Sequence, residues 1–427
     1  MNHKYMRALL LSFVFILGMS FNSFAQNYEY KFYDSVDLYE GIDENFYSSS
    51  NFGVKNPIYS AFPVTEMIRH NRVDGLFLGY QEEKMNWKNS HFLGLDNVNV
   101  HGLIGYSIAQ EDLQYSIGAE KSFGYARKWL LLGGDFHQVT TTQDYWRSGI
   151  NENSLSSFAT GFDFHDYYQA DGYGFYALLK PFRSIELGAS YNIDQFSSLE
   201  AITDFSIISR YSTYRMNPAI HSGVDQLDQE SVTLGVTLNP NGISKNARLW
   251  TTISAKAELA DLDGLNNEFA YNSYQAEAKT FLRLDGSSLL KWRVMAGSIT
   301  GSAPEFKQFA VGGLGSMRAL GYKSMMGNQM LLSNIEMELG KESYKKNDWV
   351  DLSDFYISLF LDSGTTNYNP ELSDASDPLA PYSIETSQLS HNAGIGIGLG
   401  MLRLEVAKPI AGAQGHSSFW IRLNPTF

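Results

Sequence analysis

A guanidinium and two carboxylates are the residues of this chain best placed to act together. Arg318 is the single cation in a glycine-rich run, Val311-Gly-Gly-Leu-Gly-Ser-Met-Arg-Ala-Leu-Gly-Tyr322. Glu336 and Asp362 follow in two alternating stretches, Leu331-Leu-Ser-Asn-Ile-Glu-Met-Glu-Leu339 and Phe355-Tyr-Ile-Ser-Leu-Phe-Leu-Asp-Ser-Gly364. A guanidinium between carboxylates makes fork-shaped, charge-assisted hydrogen bonds that hold a loop better than a lysine does. The chemistry expected is attachment. It is either a structural ion cluster that stiffens a wall or a latch that sets the loop's position, and the two are compatible.

Other chemistries lack their residues. Gly315 and Gly321 before Lys323-Ser324 miss phosphate-loop spacing by one residue, Tyr322 interrupts the Gly-Lys pair, and no helical pattern follows. Gly394-Ile-Gly-Ile-Gly-Leu-Gly400 has glycine at every second position, inside a strand and not in the strand-to-helix turn of a dinucleotide site. Neither Gly-x-Ser-x-Gly nor His-Glu-x-x-His occurs, the nine histidines lack metal spacing, and His165-Asp166 reads as loop chemistry. Cysteine is absent, which removes disulfides, thiolate metal sites and thiol nucleophiles. No enzyme activity, metal or cofactor is expected.

The elements that must carry these residues are strands. In 331–339, Ser333, Ile335, Met337 and Leu339 share one face and Asn334, Glu336 and Glu338 the other; in 355–364, Asp362 lies opposite Phe355, Ile357, Leu359 and Leu361. Similar segments of about ten residues recur from Asn71 onward, separated by Gly, Asn, Asp and Ser clusters. Helical periodicity is hard to find anywhere in 71–427. Units of roughly 22 residues predict about 16 strands, an even number as single-chain bacterial outer-membrane barrels have. The second face of each strand carries Glu, Asn, Ser, Gly and Arg, which suits a hydrated lumen better than a sandwich core. The fold class expected is all-β: a transmembrane antiparallel β-barrel with the glycine-rich loop folded inside.

The carboxyl end fits this expectation. Ile395, Ile397 and Leu399 fall outside with a row of glycines inside, where an inserted loop would find room; Arg403 and Glu405 point inward on the next strand. In the last strand Phe419, Ile421, Leu423 and Phe427 are expected on one face, a terminal aromatic being the usual recognition end of such a barrel. Pro425 has no N–H to donate; it either sits in a frayed terminal pair of residues or weakens the junction of first and last strands at its periplasmic end.

Residues 1–25 read as a cleaved signal peptide for Sec export. Lys4 and Arg7 precede an apolar run from Ala8 to Met19, and Ser23-Phe-Ala25 is a small-x-small cleavage site. Residues 26–70 read as a periplasmic lead-in or lumen-entering segment, and 71–427 as the barrel. The formal charge of −14, more negative once the signal's two cations leave, argues against nucleic acid as a partner. Outer-membrane lipid is the partner expected of a barrel.

Taken in order, Gly312-Gly-Leu-Gly-Ser-Met-Arg-Ala-Leu-Gly-Tyr322, Gly327-Asn328, Leu-Leu-x-Asn-x-Glu, Phe-x-Asp-x-Gly and Ala-Gly-Ile-Gly-Ile resemble the BamA superfamily of bacterial surface antigens. The resemblance implies a 16-stranded barrel that inserts or exports proteins at the outer membrane of a Gram-negative bacterium. It also implies a sixth extracellular loop folded into the lumen, its arginine meeting acids of the twelfth and thirteenth strands. By position Arg318 matches that arginine, Glu336 and Asp362 the acids, and Gly321-Tyr322 the Gly-aromatic pair; Gly312 and Gly313 open the loop. The family's signature on that loop is Val-Arg-Gly-Phe/Tyr; here two residues, Ala319-Leu320, separate Arg318 from Gly321 and stretch it, and 26–70 is too short for the polypeptide-transport domains of barrel-folding members. The function expected is insertion, assembly or translocation of proteins at the outer membrane, with a periplasmic or surface protein partner. The alternatives are a non-catalytic plugged barrel, acting as scaffold or subunit of a surface complex, and a narrow solute pore.

Overall fold

The computed structural model describes residues 68–427 apart from 83–90, 93–94, 97, 126–127, 183, 209–213, 240–247, 285–286, 341–354, 374–382, 400–401, 413–414 and 424–426. The signal peptide, nearly all of the lead-in segment and Pro425 therefore lie outside the described residues.

Two-residue alternation becomes wall throughout the described chain. The first strands are β1 (Ile68–Asn71), β2 (Gly75–Glu82), a small hairpin β3 (His91–Phe92) and β4 (Leu95–Asp96), then β5 (Val98–Ser107), β6 (Asp112–Tyr125) and β7 (Lys128–Thr141). A helix, α1 (Ile150–Thr160), precedes β8 (Tyr168–Phe182), β9 (Ile185–Ser198), β10 (Gln226–Leu238), β11 (Leu249–Leu259) and β12 (Tyr271–Arg283). After β13 (Ser288–Gly301) a second hairpin, β14 (Phe309–Val311) and β15 (Met325–Gly327), stands off the wall. The wall resumes with β16 (Gln329–Leu339), β17 (Phe355–Asn367), β18 (Ser390–Leu399), β19 (Leu402–Ala411) and β20 (Ser418–Leu423).

Without the two hairpins, sixteen strands form one antiparallel sheet in chain order, with β1 and β20 at its edges. From β5 to β19 the wall strands run 10 to 15 residues, enough to cross a bilayer at a tilt. The sheet curls, because α1 reaches both edges: Ser154 meets β1 and Glu152 meets β20. Outward positions are apolar and exposed, such as Leu132, Phe175, Leu234, Ile253, Trp292 and Ile395. Inward positions such as Glu120, His137, Glu277, Lys279, Arg293 and Arg403 are charged or ionisable and buried. This is a barrel greasy outside and polar inside.

Three expectations change. Among the described residues the wall already includes Ile68–Asn71, reaching into the segment read as lead-in, because Arg69, His70 and Asn71 pair with Phe77, Leu76 and Gly75. A helix exists where no helical period was seen; its sequence, Ile-Asn-Glu-Asn-Ser-Leu-Ser-Ser-Phe-Ala-Thr, is mostly polar and takes its order from neighbouring segments. The inner glycine row is filled by the adjacent strand, not by the loop. A Cβ on Gly394 would lie 2.1 Å from Phe360, and one on Gly398 2.0 Å from Tyr356.

Candidate functional site

Glycine lets the chain between β13 and β16 double back. The β14–β15 hairpin forms a neck, with Phe309, Ala310 and Val311 opposite Gly327, Met326 and Met325. Beyond it Gly312 has φ 119°, and a Cβ there would meet the Gly321 carbonyl oxygen at 2.2 Å, so only glycine closes this loop. Gly313, at φ 82°, lies against Tyr322. Within the loop Leu320 N–H donates to the Met317 carbonyl at 3.0 Å and Lys323 N–H to the Gly312 carbonyl at 3.2 Å. Val311, Met317 and Leu320 pack with Met295, Met330 and Leu332 of the wall, so an apolar side of the loop faces β13 and β16. Ala319 packs with Phe360 and Ala407. The two residues that stretch the arginine signature are thus buried filling.

This packing delivers Arg318, only 1% exposed, to the polar inner wall. Its Nε and Nη2 form a fork on Asp362 Oδ2 and Oδ1 at 2.9 and 2.8 Å, and its backbone N–H also donates to Oδ2. Nη1 reaches Glu336 Oε2 at 3.3 Å and Glu405 Oε1 at 3.2 Å. The guanidinium carbon lies 3.4 Å from the centroid of the Phe360 ring, a cation–π contact that also excludes water. The Arg318 carbonyl accepts from Ser418 Oγ at 2.6 Å and Trp420 Nε1 at 2.9 Å. One residue therefore ties the loop to β16, β17, β19 and β20.

The acids are shared with other cations. Arg403 forks onto Glu336 at 2.5 and 3.0 Å, and Lys291 Nζ bridges Glu336 and Glu338 at 3.2 and 2.6 Å. Asn334 donates to Asp362 and to the Ser316 carbonyl, both at 2.8 Å, while Arg293 donates to Asn334 and to the Gly315 carbonyl. Glu405 was not foreseen as a partner of Arg318, nor Arg403, Lys291 and Asn334 as partners of the acids it binds. Alternation had placed Glu405 and Arg403 on the inner face, and that was the only signal they carried.

The loop's other side meets the segment between β7 and β8. Arg147 Nη1 donates to the Gly312 carbonyl at 3.2 Å and to Ser316 Oγ at 3.1 Å, and its Nη2 donates to the Ala310 carbonyl. Tyr322 donates to Asp144 at 3.0 Å, and Lys323 Nζ lies 2.7 Å from Asp144 and 2.8 Å from Asp166. Arg72 and Arg215 also pair with Asp166, and the Arg215 guanidinium lies 4.1 Å from the Tyr322 ring centroid. His165 does not pair with Asp166. Its Nε2 meets Ser148 Oγ at 3.0 Å, and a second Ser–His contact joins Ser157 to His70 at 2.9 Å. All four residues of these two contacts are buried.

Burial pushes the Asp144 carboxyl up, but Lys323 and Arg147 beside it outweigh this and hold it below the ordinary carboxylate value. Asp166 is likewise raised by burial and brought below its ordinary value chiefly by Lys323, with Arg215 and Arg72 helping. Because both carboxyls bind protons more weakly in the folded protein, their contribution is complete above the unfolded carboxylate pKa of about 4 and is lost only as pH falls below it. Protease cleavage within residues 312–324 is thus expected to be constant from pH 7 down to about 4 and to rise only at lower pH. A rise centred near pH 6 would contradict this assignment.

The carboxyl terminus departs from expectation. Phe419 and Ile421 are exposed on the outer face, and Leu423, half-buried, alternates with them. Phe427 is 4% exposed, 5.1 Å from the Arg293 guanidinium and 6.1 Å from the ring of Phe281, and its carbonyl accepts from Arg422. Two inward-facing arginines draw the terminal aromatic inside.

A sixteen-stranded antiparallel barrel with a lumenal loop held by arginine defines the class of molecule. The crystal structure of BamA from Haemophilus ducreyi lacking POTRA domains 1–3 matches at a TM-score of 0.52 and 14% identity, over 83% of this chain and 68% of that one. CdiB from Acinetobacter baumannii matches at a TM-score of 0.42 and 11% identity, over 83% of this chain and 58% of its own. No family model and no curated protein matches the sequence. The chain has the fold of the BamA barrel.

Proposed function

We propose that this barrel takes part in inserting, assembling or translocating proteins at the outer membrane of a Gram-negative bacterium, reached by Sec export and cleavage of residues 1–25. The observation that carries this reading is the position of Arg318. Its side chain pairs with β16, β17 and β19 while its carbonyl accepts from Ser418 and Trp420 of β20, the edge strand. A loop so placed senses the state of the wall's last strand, where an extended client would pair. A separate periplasmic or surface protein supplies client capture.

Depletion followed by an outer-membrane proteome tests this. Loss of many barrels is expected for an assembly factor and loss of one client for a dedicated exporter; an unchanged proteome would refute both.

A second reading, a plugged scaffold of a surface complex, draws on the ties that Arg147, Lys323, Asp144 and Asp166 make between the inserted loop and the segment between β7 and β8. A polar cavity lined by Asp144, Arg147, Lys323 and residues of β11 measures about 90 Å³. That is room for about three waters. Loss of a surface complex with an intact barrel proteome would favour it, and a purified barrel that conducts ions steadily in a planar bilayer would count for a pore instead.

A further inference from the structure

The two edges of the sheet present backbone N–H groups that a neighbouring strand would normally accept. Two of them are occupied by side chains of one helix. Leu423 N–H of β20 donates to Glu152 Oε1 at 3.0 Å, and Arg422 of the same strand adds Nε to Oε1 at 2.6 Å and Nη2 to Oε2 at 3.3 Å. His70 N–H of β1 donates to Ser154 Oγ at 2.7 Å, and the His70 ring meets Ser157 Oγ and packs edge-on to Phe158 at 5.4 Å.

Helix geometry explains how one element serves both. At about 100° per residue, Glu152 and Ser154 project to opposite flanks of α1, Asn153 lies between them on one side and Leu155 on the other. Asn153 is buried and bonded to Asp163 and Tyr167, whereas Leu155 is exposed. The helix therefore stands in the wall with one flank on β20, one on β1, an inner polar face and an outer face carrying a leucine. Residues 207 and 208 run beside it, donating to the Phe158 and Ala159 carbonyls, and add exposed Ile207 and Ile208 to that outer face.

We propose that α1 is a displaceable wedge that closes the β1–β20 seam, where no strand pairing joins the two edges among the described residues. It competes for the edge donors with any extended segment that would pair with β20, a role resting on the function proposed above. The wedge and the arginine-held loop form one body, because Arg147, three residues before Ile150, donates to Gly312, Ser316 and Ala310. Movement of the loop is thereby transmitted to the seam.

Hydrogen exchange on the whole detergent-solubilised barrel tests the wedge itself. In Ser154→Ala and Glu152→Ala, exchange at His70 and at Leu423 respectively is expected to rise about tenfold, the effect of one lost hydrogen bond, with β9–β13 unchanged. Glu152→Gln keeps an acceptor for Leu423 and should lie between. Wild-type exchange at both edges in Ser154→Ala and Glu152→Gln, which do not hinge on the drastic alanine at 152, would overturn the proposal.

Displacement is tested by a tether. The chain has no cysteine, so His70→Cys with Ser154→Cys forms the only thiol pair. The oxidised form is expected to fail, and the reduced form to succeed, in restoring the proteome of a depleted strain. Full restoration by the tethered barrel would show that the wedge stays in place during function. If even wild-type protein alters no proteome, the functional reading falls while the exchange result still decides the wedge.

Discussion

Arg318→Ala is expected to leave Asp362 and its neighbours as buried charges short of a partner, at a cost of about 3–5 kcal/mol. Asp362 is 0% exposed and takes three hydrogen bonds from Arg318. Glu336 retains Arg403 and Lys291, and Glu405 retains Arg403, so the deficit centres on Asp362. The loop should leave the inner wall, and the barrel should lose its heat-modifiable migration and its resistance to protease before any transport step is affected. Adding Asp362→Asn, which removes the orphaned charge and keeps an acceptor for Asn334, should recover part of the loss. Arg318→Lys should fall between wild type and alanine, because an ammonium restores the charge but cannot fork onto both Asp362 oxygens. Unchanged migration and protease resistance in Arg318→Ala would mean that the loop is held without Arg318, by its apolar side through Met317 and Leu320 and by its ties to Arg147, Arg293 and Asn334.

Gly315→Ala should separate the loop from the wedge. Gly315 has φ 72°, and a Cβ there would lie 1.9 Å from the Arg147 carbonyl oxygen, a backbone atom with no rotamer to escape into. Left-handed geometry alone costs an alanine about 1–2 kcal/mol. Gly223, at φ 77° with nothing within 4 Å of its Cβ, isolates that part of the penalty. The excess loss of stability in Gly315→Ala over Gly223→Ala, read from urea unfolding of the folded barrel, measures the backbone contact. Equal losses would mean that the segment carrying Arg147 yields freely. Since that segment also carries α1, faster exchange at His70 and Leu423 should accompany the excess.

The strands and the faces of Glu336 and Asp362 could be read in the sequence because both follow from the pleat. Alternating side chains point to opposite sides whatever the strand pairs with. Glu405 and Arg403 could be placed on the inner face by the same rule but not assigned to Arg318. That contact spans 87 residues and depends on the number of strands and their register. Phe427 was placed on one face with Phe419, Ile421 and Leu423 by extending the alternation past Leu423, whereas contacts with Arg293 and Arg422 decide its position. The glycine row correctly signalled space, but the occupant, Phe360 and Tyr356 of β17, was settled by which residues register opposite it.

What the sequence by itself determined was the barrel and the inward set of charged side chains, since an apolar–polar period of two is a local property of each strand. What only the tertiary structure decided was how the ring is completed. Glu152 meets Arg422 across 270 residues, and α1 lies between the edge strands with few apolar residues to announce it. A short polar helix in water is marginal, and its order comes from the edge strands β1 and β20, Asp163 and Tyr167 around it, partners that exist only after the wall has curled.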